Sequence, residues 1–258
     1  MKNIAILTTG RQDWGILRNI CVQLRSDPTI NIRIVAGGMA CSQKFGRIID
    51  DIIAEGFTID YMMDWLRNSE DMPVDIQTAH AIEETTKAIN MLKPDCLLLL
   101  GDRFETTAAA LAATLSCLPL IHVGGGFETE GAFDNSLRHA ISKLSCLHFV
   151  STSENATRLI QMGENPKSVY VVGAAGLDNL RRNDLAKRDE LENFLNLKLK
   201  HPLVIVTLHP TTLGPKGSQD ECRALLSAMN QFDATYVITL PNNDPGSQII
   251  RLMQMDFV

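Results

Sequence analysis

Short apolar runs rich in leucine and β-branched residues alternate along the chain with longer segments of helical period. Several of the short runs are apolar on both faces, as strands are when helices cover both sides of a parallel sheet. The predicted strands read NIAILTT, INIRIVAGG, FTIDYMMD, DCLLLLGD, LPLIHVGG, LHFVST, SVYVVG, LVIVTLHP and TYVITLP. The predicted helices include WGILRNICVQLRS, residues 74–92 and RFETTAAALAATLSCL.

This strand–helix rhythm predicts an α/β protein with a Rossmann-like, doubly wound parallel sheet. Residues 1–175 hold about seven of the strands and are predicted to form an N-terminal Rossmann-like domain. The polar stretch 176–199 is predicted to be a connector helix. Residues 200–258 begin a second Rossmann-like domain with two strands, which is too few to cover their own faces. We therefore expect this second domain to be incomplete, either as a fragment or as a stub that packs on the first domain or on another chain.

The composition is that of a soluble globular protein, with 45% hydrophobic and 21% charged residues among 258. No apolar run is long enough to span a bilayer, and the N-terminus MKNIAILTTGR has the pattern of a first strand, without the features of a signal peptide. We expect a cytoplasmic protein without membrane partners. The net charge of −6 argues against nucleic acid, because phosphate backbones require a basic surplus.

The six cysteines show no Cys-x-x-Cys spacing, and most lie inside apolar runs such as DCLLLL. Such positions favour reduced, buried thiols over a disulfide framework or a zinc site. They are Cys21, Cys41, Cys96, Cys117, Cys146 and Cys222.

Polar residues collect directly after the predicted strands. In open α/β sheets, ligands bind at the carboxyl ends of the strands, so these residues are candidates for a site. They comprise Arg11 and Asp13 after the first strand, Gly37 and Gly38 after the second, Asp102, Arg103 and Glu105 after DCLLLLG, the 124–130 loop, and His209 after LVIVTL.

The first of these loops, TTGRQDWG, leads into a helix, whose free N–H groups and dipole favour an anion. It is neither a GxGxxG nor a Walker A sequence, so we expect no dinucleotide or nucleoside triphosphate site of those types. Arg11 is either a phosphate clamp or a surface arginine, with Asp13 as an acid at the helix start.

Asp102 follows four leucines, where a carboxylate is costly unless it is hydrogen-bonded or used on a ligand. The alternative is an N-cap for the helix from Phe104, with Glu105 in the first turn.

The stretch HVGGGFETEGAFDNSLRHA carries three glycines, which allow positive φ and a close approach to a ligand. Asp134 opens the following helix, and Arg138 falls on the same helical face, next to His139. The alternative for Asp134 and Arg138 is an i,i+4 surface ion pair. His209, in LHPTT, is either a site residue or structural.

The ordered segments TTGRQDWGIL, LLLLGDRFET, LIHVGGG, DNSLRHAISKLSCLHFV and GAAGLDNL resemble the hydrolysing UDP-N-acetylglucosamine 2-epimerases. The chain is most similar to the branch that serves sialic and legionaminic acid synthesis, and the resemblance runs from Asn3 to about Met253. It implies a GT-B-like architecture with the active site between two domains. It also implies a UDP-sugar substrate, no cofactor, a metal-free reaction, and a homo-oligomer that is a dimer or tetramer.

The resemblance also implies a two-step reaction, in which UDP is eliminated after loss of the C2 proton and water then adds to the glycal. It assigns catalytic carboxylates to Asp102 and Asp134, and an acid role to His209. The guanidinium groups of Arg11 and Arg138 match arginines near the diphosphate and sugar, where a planar donor fork suits phosphate. Substrate binding also extends, on this reading, to His139, Gly125 and Gly126.

The chain departs from the family pattern in the 124–130 loop. Phe127 occupies the position of a glutamate that serves as acid/base in relatives, and loss of such a group lowers rates by about 10²–10⁴-fold. Glu128 takes that catalytic role, or Glu130 does, if the loop shifts register. Gly124 and Asn135 also replace a larger residue and an acid, respectively.

Relatives continue beyond the region that corresponds to this chain, through a segment that binds the nucleotide. Two hypotheses therefore stand: a hydrolysing 2-epimerase, or a catalytically impaired pseudoenzyme or fragment of that family. A GT-B-type transferase or an unrelated nucleotide-binding domain is the weaker third.

Overall fold

The computed structural model describes residues 1–66, 72–130, 132–211 and 217–258. The chain divides into two units, Met1–Arg181 and Arg182–Val258, and each contains a parallel sheet with helices. No helix among the described residues combines the length and apolar character that a membrane span requires.

The first unit is built on a seven-stranded parallel sheet with the strand order β3-β2-β1-β4-β5-β6-β7. The chain moves outward from the central strand β1 in one direction and then returns to continue in the other, so the predicted doubly wound parallel sheet is confirmed. Its elements are β1 (Lys2–Thr8), α1 (Arg11–Ser26), β2 (Ile30–Gly37), α2 (Ile49–Ala54), β3 (Ile59–Met63), α3 (Val74–Leu92), β4 (Cys96–Leu100), α4 (Phe104–Leu115), β5 (Leu120–Val123), α5 (Asp134–Leu144), β6 (Leu147–Val150), α6 (Ser153–Gln161) and β7 (Val169–Val171).

Side chains that alternate along the central strands build a core on each face of this sheet. On one face, Ile4 and Ile6 of β1 pack in a cluster with Leu98 of β4 and Leu17 of α1. On the other face, Leu7 and Leu99 belong to a cluster that includes alanines of α3 and α4. Because alanine is small, these helices lie close to the sheet and to each other, and the loops at the strand ends are held between fixed elements.

The second unit, Arg182–Val258, is a smaller α/β unit with its own core. Its two strands pair in parallel, in register from Leu203 opposite Thr235 to Thr207 opposite Thr239. Its elements are α7 (Arg188–Leu195), β8 (Leu203–Thr207), α8 (Ser218–Met229), β9 (Thr235–Thr239) and α9 (Ser247–Phe257), and its core residues are Val206, Cys222, Leu226, Met229 and Ile250.

The stretch predicted as a connector helix, residues 176–199, contains two separate elements. A 3₁₀ helix at Ala175–Arg181 belongs to the first unit, where Asn179 accepts a hydrogen bond from the Asn19 amide at 3.0 Å. The helix α7 belongs to the second unit. The domain limits drawn from the sequence, 1–175 and 200–258, stay a prediction.

The cysteines are free thiols, but they are not uniformly buried. Burial raises the pKa of Cys21 and Cys41 to about 12, as expected for thiols in an apolar core. The prediction of burial is wrong for Cys117 and Cys146, which are exposed. Cys117 lies in the turn that ends α4, with a φ of +55°, and Cys146 directly precedes β6, so both are in surface connections.

Candidate active site

The carboxyl ends of β1, β4 and β5 lie side by side at the point where the strand order reverses. This is the place where doubly wound sheets bind ligands. Gly101 after β4 and Gly124 after β5 have φ of +76° and +88°, a backbone conformation that only glycine adopts without strain. These turns bring Asp102 and the 124–130 loop to one edge of the sheet.

Asp102 is bonded to Arg138 across 36 residues of sequence. Both Nε, at 2.7 Å, and Nη2 of Arg138 donate to the same oxygen, Oδ2 of Asp102. The alternative of an N-cap does not hold, because the N-cap of α4 is Arg103. The Asp102 side chain is 26% exposed, and its Oδ1 accepts no hydrogen bond from the described part of the chain. Oδ2 is therefore fixed by Arg138, whereas Oδ1 is not held by any described residue.

Arg138 is only 4% exposed, so the alternative of a surface ion pair with Asp134 is wrong. Besides the two bonds to Asp102, its Nη1 donates to the Phe127 carbonyl at 2.8 Å and to Asn135 Oδ1 at 2.7 Å. Its Nη2 also donates to Thr129 Oγ1 at 2.9 Å. All five N–H groups of the guanidinium are thus used within the protein. The role of Arg138 in substrate binding stays a prediction and requires one of these bonds to be exchanged.

The 127–130 segment is exposed, and its backbone is held from α5. Arg138 bonds to Phe127 and Thr129, on either side of Glu128, and the Thr129 N–H donates to Asn135 Oδ1 at 2.8 Å. Phe127 is 40% exposed and does not belong to the core. The Glu128 carboxylate is 60% exposed and lies 3.2 Å from Arg158 Nη2.

Gly125 and Gly126 are needed for close packing inside the protein. A Cβ on Gly125 would lie 2.8 Å from Ser142 Oγ and 3.1 Å from His122 Nδ1. A Cβ on Gly126 would lie 2.5 Å from the carbonyl oxygen of Asn155, at a φ of +79°. Larger residues would force the loop away from α5 and α6. Contact of these glycines with substrate stays a prediction.

Gly37 and Gly38, at the end of β2, are also required for close packing. A Cβ on Gly37 would lie 2.9 Å, and one on Gly38 2.7 Å, from ring atoms of Trp65. The two glycines therefore make room for a buried tryptophan.

Asp134 and His139 both lie on α5. Asp134 is the first residue of the helix, as predicted, and is partly buried. Partial burial lowers the pKa of His139, and the neighbouring Arg138 and Arg158 lower it further. Its Nδ1 is buried without a hydrogen-bond partner in the described ranges. Neutral His139 therefore lies beside two cations, with one nitrogen unsatisfied.

A second group of charges lies at the ends of β1 and β4 and is closed to solvent. The side chain of Glu105 is fully buried, and Arg103 donates to both of its oxygens, at 3.1 and 3.2 Å. Asp13 accepts from the N–H and the hydroxyl of Thr9, both at 2.7 Å. Burial raises the pKa of both carboxyls, while Arg103 opposes the rise in each; Asp102 adds to the rise at Asp13, and Asp13 adds to the rise at Glu105. Arg11 lies nearby on the surface, at the start of α1.

Four residues that the sequence analysis did not single out complete this edge of the sheet: His122, Ser142, Asn155 and Arg158. His122 and Ser142 are buried and bonded to each other. Arg158 donates to the Gly126 carbonyl, and the Asn155 Nδ2 lies 3.4 Å from the Gly125 carbonyl oxygen. The available signal for His122 was a histidine within a short, otherwise apolar strand.

His209 lies in the second unit, after β8, and is exposed. Its predicted role as an acid at the site stays a prediction. Within the described ranges, no group of three or more His, Cys, Asp or Glu side chains is arranged to hold a metal ion.

Comparison with known proteins identifies the family of this chain. The family model for UDP-N-acetylglucosamine 2-epimerase matches residues 22–257. The chain is 33% identical over 250 residues to a GDP/UDP-N,N'-diacetylbacillosamine 2-epimerase (hydrolyzing) of Campylobacter jejuni, covering 96% of this chain and 65% of that protein. It is 34% identical over 263 residues to the polysialic acid biosynthesis protein P7 of Escherichia coli, covering 97% of this chain and 65% of that protein. The chain thus spans about 65% of the length of these relatives.

Solved structures of similar fold include a UDP-GlcNAc 2-epimerase from Neisseria meningitidis bound to UDP-GlcNAc. Its TM-score is 0.77 at 20% identity, and the match covers all of this chain and 70% of that one. The S. aureus MnaA–UDP co-structure has the same TM-score at 19% identity, covering 100% of this chain and 66% of that one. At these identities the likeness shows a common fold.

Proposed function

The chain belongs to the UDP-N-acetylglucosamine 2-epimerase family, and from that premise we propose that it serves the hydrolytic 2-epimerisation of a UDP-linked 2-acetamido sugar. The products are UDP and a free sugar of the N-acetylmannosamine type. Support comes from the family match over residues 22–257 and from two relatives at 33% and 34% identity. Since the chain spans about 65% of their length, activity of these 258 residues is itself part of the proposal.

The reaction needs a base and an acid at neighbouring sugar carbons. In the first step a base takes the proton from C2. The C2–H electrons form the C1–C2 double bond, and the C1–O bond breaks with its electrons leaving on UDP. In the second step the oxygen of water adds to C1, and a proton is delivered to C2 on the opposite face. A C2 proton is weakly acidic, so both groups must be positioned.

The single observation that carries the proposal is the half-engaged carboxylate of Asp102 at the sheet's switch point. Arg138 fixes Oδ2, while Oδ1 is left for a ligand in the described part of the chain. We assign the proton transfer at C2 to Asp102. A fixed carboxylate costs no reorganisation when the substrate binds, which is the usual source of efficiency in such groups.

The opposite proton transfer is assigned to the 127–130 loop and to Asp134. Glu128 is the group that we propose in place of Phe127, because Arg138 binds the Phe127 carbonyl before it and the Thr129 hydroxyl after it. The Glu128 carboxylate is exposed and lies at the edge of the site, beside Arg158. Arg11, His139 and His209 complete the proposed binding and acid functions.

The sugar is proposed to be UDP-GlcNAc or a UDP-diacetamido relative, for the synthesis of nonulosonic acids such as sialic or legionaminic acid. The relatives include diacetylbacillosamine 2-epimerases, a polysialic acid biosynthesis protein and a UDP-N-acetylglucosamine 2-epimerase. We further propose that the protein works in the cytoplasm as a dimer or tetramer.

A second candidate function is that of a pseudoenzyme that binds the nucleotide sugar without turnover. The observation that favours it is Phe127, a residue that cannot transfer a proton and whose ring is not required by the core. In this alternative the binding groups are retained and the acid/base is lost.

Incubation of the purified chain with UDP-GlcNAc or UDP-N,N'-diacetylbacillosamine in D₂O tests both candidates. We expect UDP release and a product with deuterium at C2, read by ¹H NMR, because the proton that returns to C2 comes from solvent. Asp51→Asn, an exposed residue of α2, is the matched control and should behave as wild type. UDP-sugar binding without turnover, with turnover gained by Phe127→Glu, would favour the pseudoenzyme. If the folded chain shows neither binding nor turnover, both candidate functions are contradicted.

A further inference from the structure

We propose that His122 is a positioning residue, which fixes the end of β4, and thereby Asp102, by bridging the Gly101 carbonyl and the Ser142 hydroxyl. The kinetic consequence rests on the proposed function, whereas the hydrogen-bonded bridge does not.

His122 is fully buried on β5 and has one partner at each ring nitrogen. Its Nε2 lies 2.8 Å from the Gly101 carbonyl oxygen, and its Nδ1 lies 3.0 Å from Ser142 Oγ. A carbonyl oxygen only accepts, so the ring proton must be on Nε2. Nδ1 is then an acceptor, and the Ser142 hydroxyl donates to it. The environment therefore selects a single tautomer.

The bridge closes a ring of contacts around the site. Ser142 lies one helical turn after Arg138 on α5, and its single hydroxyl proton is shared between His122 Nδ1, at 3.0 Å, and the Arg138 carbonyl oxygen, at 3.1 Å. Arg138 binds the Asp102 side chain, and Asp102 follows Gly101 in sequence. The backbone at Gly101 and the side chain at Asp102 are thus anchored to the same helix by two independent routes. If the Gly101 backbone shifts while Arg138 stays in place, the orientation of the Asp102 carboxylate changes.

Gly101 has no side chain, so its position depends on its backbone hydrogen bonds. It has a φ of +76°, and a Cβ built there would meet no atom within 4 Å. Its N–H donates to the Val123 carbonyl at 3.0 Å, and its carbonyl receives the His122 ring. Two hydrogen bonds to β5, one to its backbone and one to the His122 side chain, therefore hold the turn that precedes Asp102.

His122 does not act as an acid or base itself. Burial, together with the nearby His148, its register partner on β6, and Arg138, lowers its pKa to about 4, against the opposing effect of the Gly101 carbonyl. The ring is neutral throughout the pH range in which an epimerase of this kind would be assayed. Its effect on Asp102 is therefore geometric.

Three variants separate the two halves of the bridge. His122→Leu removes both contacts, Ser142→Ala removes the Nδ1 partner, and His122→Gln keeps an N–H donor for Gly101. We expect kcat to fall about 10²-fold in His122→Leu, since a misplacement of about 1 Å costs that much, with KM changed less than about twofold. His122→Gln should recover most of the loss. His80→Gln, on the exposed face of α3, is the control and should leave kcat unchanged.

The same variants contain the results that would overturn the proposal. An unchanged kcat in folded His122→Leu would do so, as would an equal loss in His122→Gln with an unaltered fold. If His122→Leu fails to fold, the Gln and Ser142→Ala variants decide the question.

Long-range ¹H–¹⁵N NMR of the imidazole rings tests the bridge without turnover. With the resonance assigned from its absence in His122→Gln, we expect the Nε2–H tautomer, unchanged from pH 8 to pH 5.5. An Nδ1–H tautomer, or titration with a pKa near 6.5, would contradict the geometry. If wild type shows no epimerase activity, the proposed function fails, while this spectrum still decides whether His122 bridges Gly101 and Ser142.

Discussion

Two acid–arginine pairs lie at the same edge of the same sheet and differ in exposure. In the open pair, Asp102 and Arg138, the acid is 26% exposed and binds the arginine through one oxygen. In the closed pair, Arg103 and Glu105, the acid is fully buried and both of its oxygens bind the arginine. A carboxylate and an arginine thus form both a partly exposed pair with one engaged acid oxygen and a buried pair with two. Solvent access and the number of engaged oxygens, more than residue type, distinguish the candidate site residue Asp102 from the buried structural residue Glu105.

The largest expected effect comes from breaking the open pair at its acid. Asp102→Asn keeps the shape of the side chain and an oxygen for Arg138 but removes the basic carboxylate. We expect kcat for UDP-GlcNAc to fall about 10²–10⁴-fold, because one acid/base group is lost. Because Arg138 is 4% exposed and loses its charged partner, the midpoint of thermal unfolding should also fall, so kcat is measured well below that midpoint. Steady-state kinetics with a thermal melt on the same sample checks both; a kcat near wild type would remove Asp102 from the chemistry.

Breaking the closed pair should act on stability. Arg103→Ala leaves Glu105 buried without its cation, and removal of one partner of a buried pair costs about 3–5 kcal/mol. The pKa of Glu105 is already raised by burial and would rise further without Arg103. A carboxyl whose folded pKa is raised binds more protons when folded, so stability falls as pH increases. The loss in urea unfolding should therefore be larger at pH 8 than at pH 5, and an equal or smaller loss at pH 8 would contradict this.

The histidine behind the open pair should give stability the opposite pH dependence. The pKa of His122 is about 4 when folded, against 6.5 when unfolded, so the unfolded state binds the proton first as pH falls. From pH 7 to pH 5 this removes about 2 kcal/mol of unfolding free energy. His122→Gln should lose this component, seen as the difference between the two urea-unfolding series. A parallel pH response of variant and wild type would show that His122 does not titrate this way.

The smallest effect is expected from Asp13→Asn, the substitution that matches Asp102→Asn. Asp13→Asn changes an aspartate at the same edge, but its amide oxygen can still accept both bonds from Thr9. It also removes a carboxyl that raises the pKa of Glu105. We expect less than about 1 kcal/mol change in unfolding free energy and no change in kcat beyond about twofold. A large kcat loss would place Asp13 with the open pair.

The sequence pattern predicted most of the fold, because hydrophobic period is a local property. All nine predicted strands are present, residues 74–92 form α3, and the helix from Phe104 is α4. The positions after the strands also converged as expected at β1, β4 and β5, since parallel strands end at a common edge.

Partner choice within the site could not be predicted in the same way. Asp102 and Arg138 are 36 residues apart, and whether Arg138 turned to Asp134 or to Asp102 depends on how α5 packs against α4 and β5. The burial of Glu105 depends on how α4 packs against β4 and β5, which periodicity alone does not determine. His122 was hidden as one polar residue in a short strand, and its function depends on a backbone carbonyl that no side-chain pattern reveals.

The five satisfied N–H groups of Arg138 have a consequence for reading related sequences. A lysine at this position would carry the same charge but only three N–H groups on a single nitrogen, for acceptors that lie around a planar fork. Exchange of arginine for lysine would therefore leave part of the 127–129 backbone untethered while preserving net charge. A homologue that carries lysine here should be expected to differ in loop geometry, even where every acidic residue is retained.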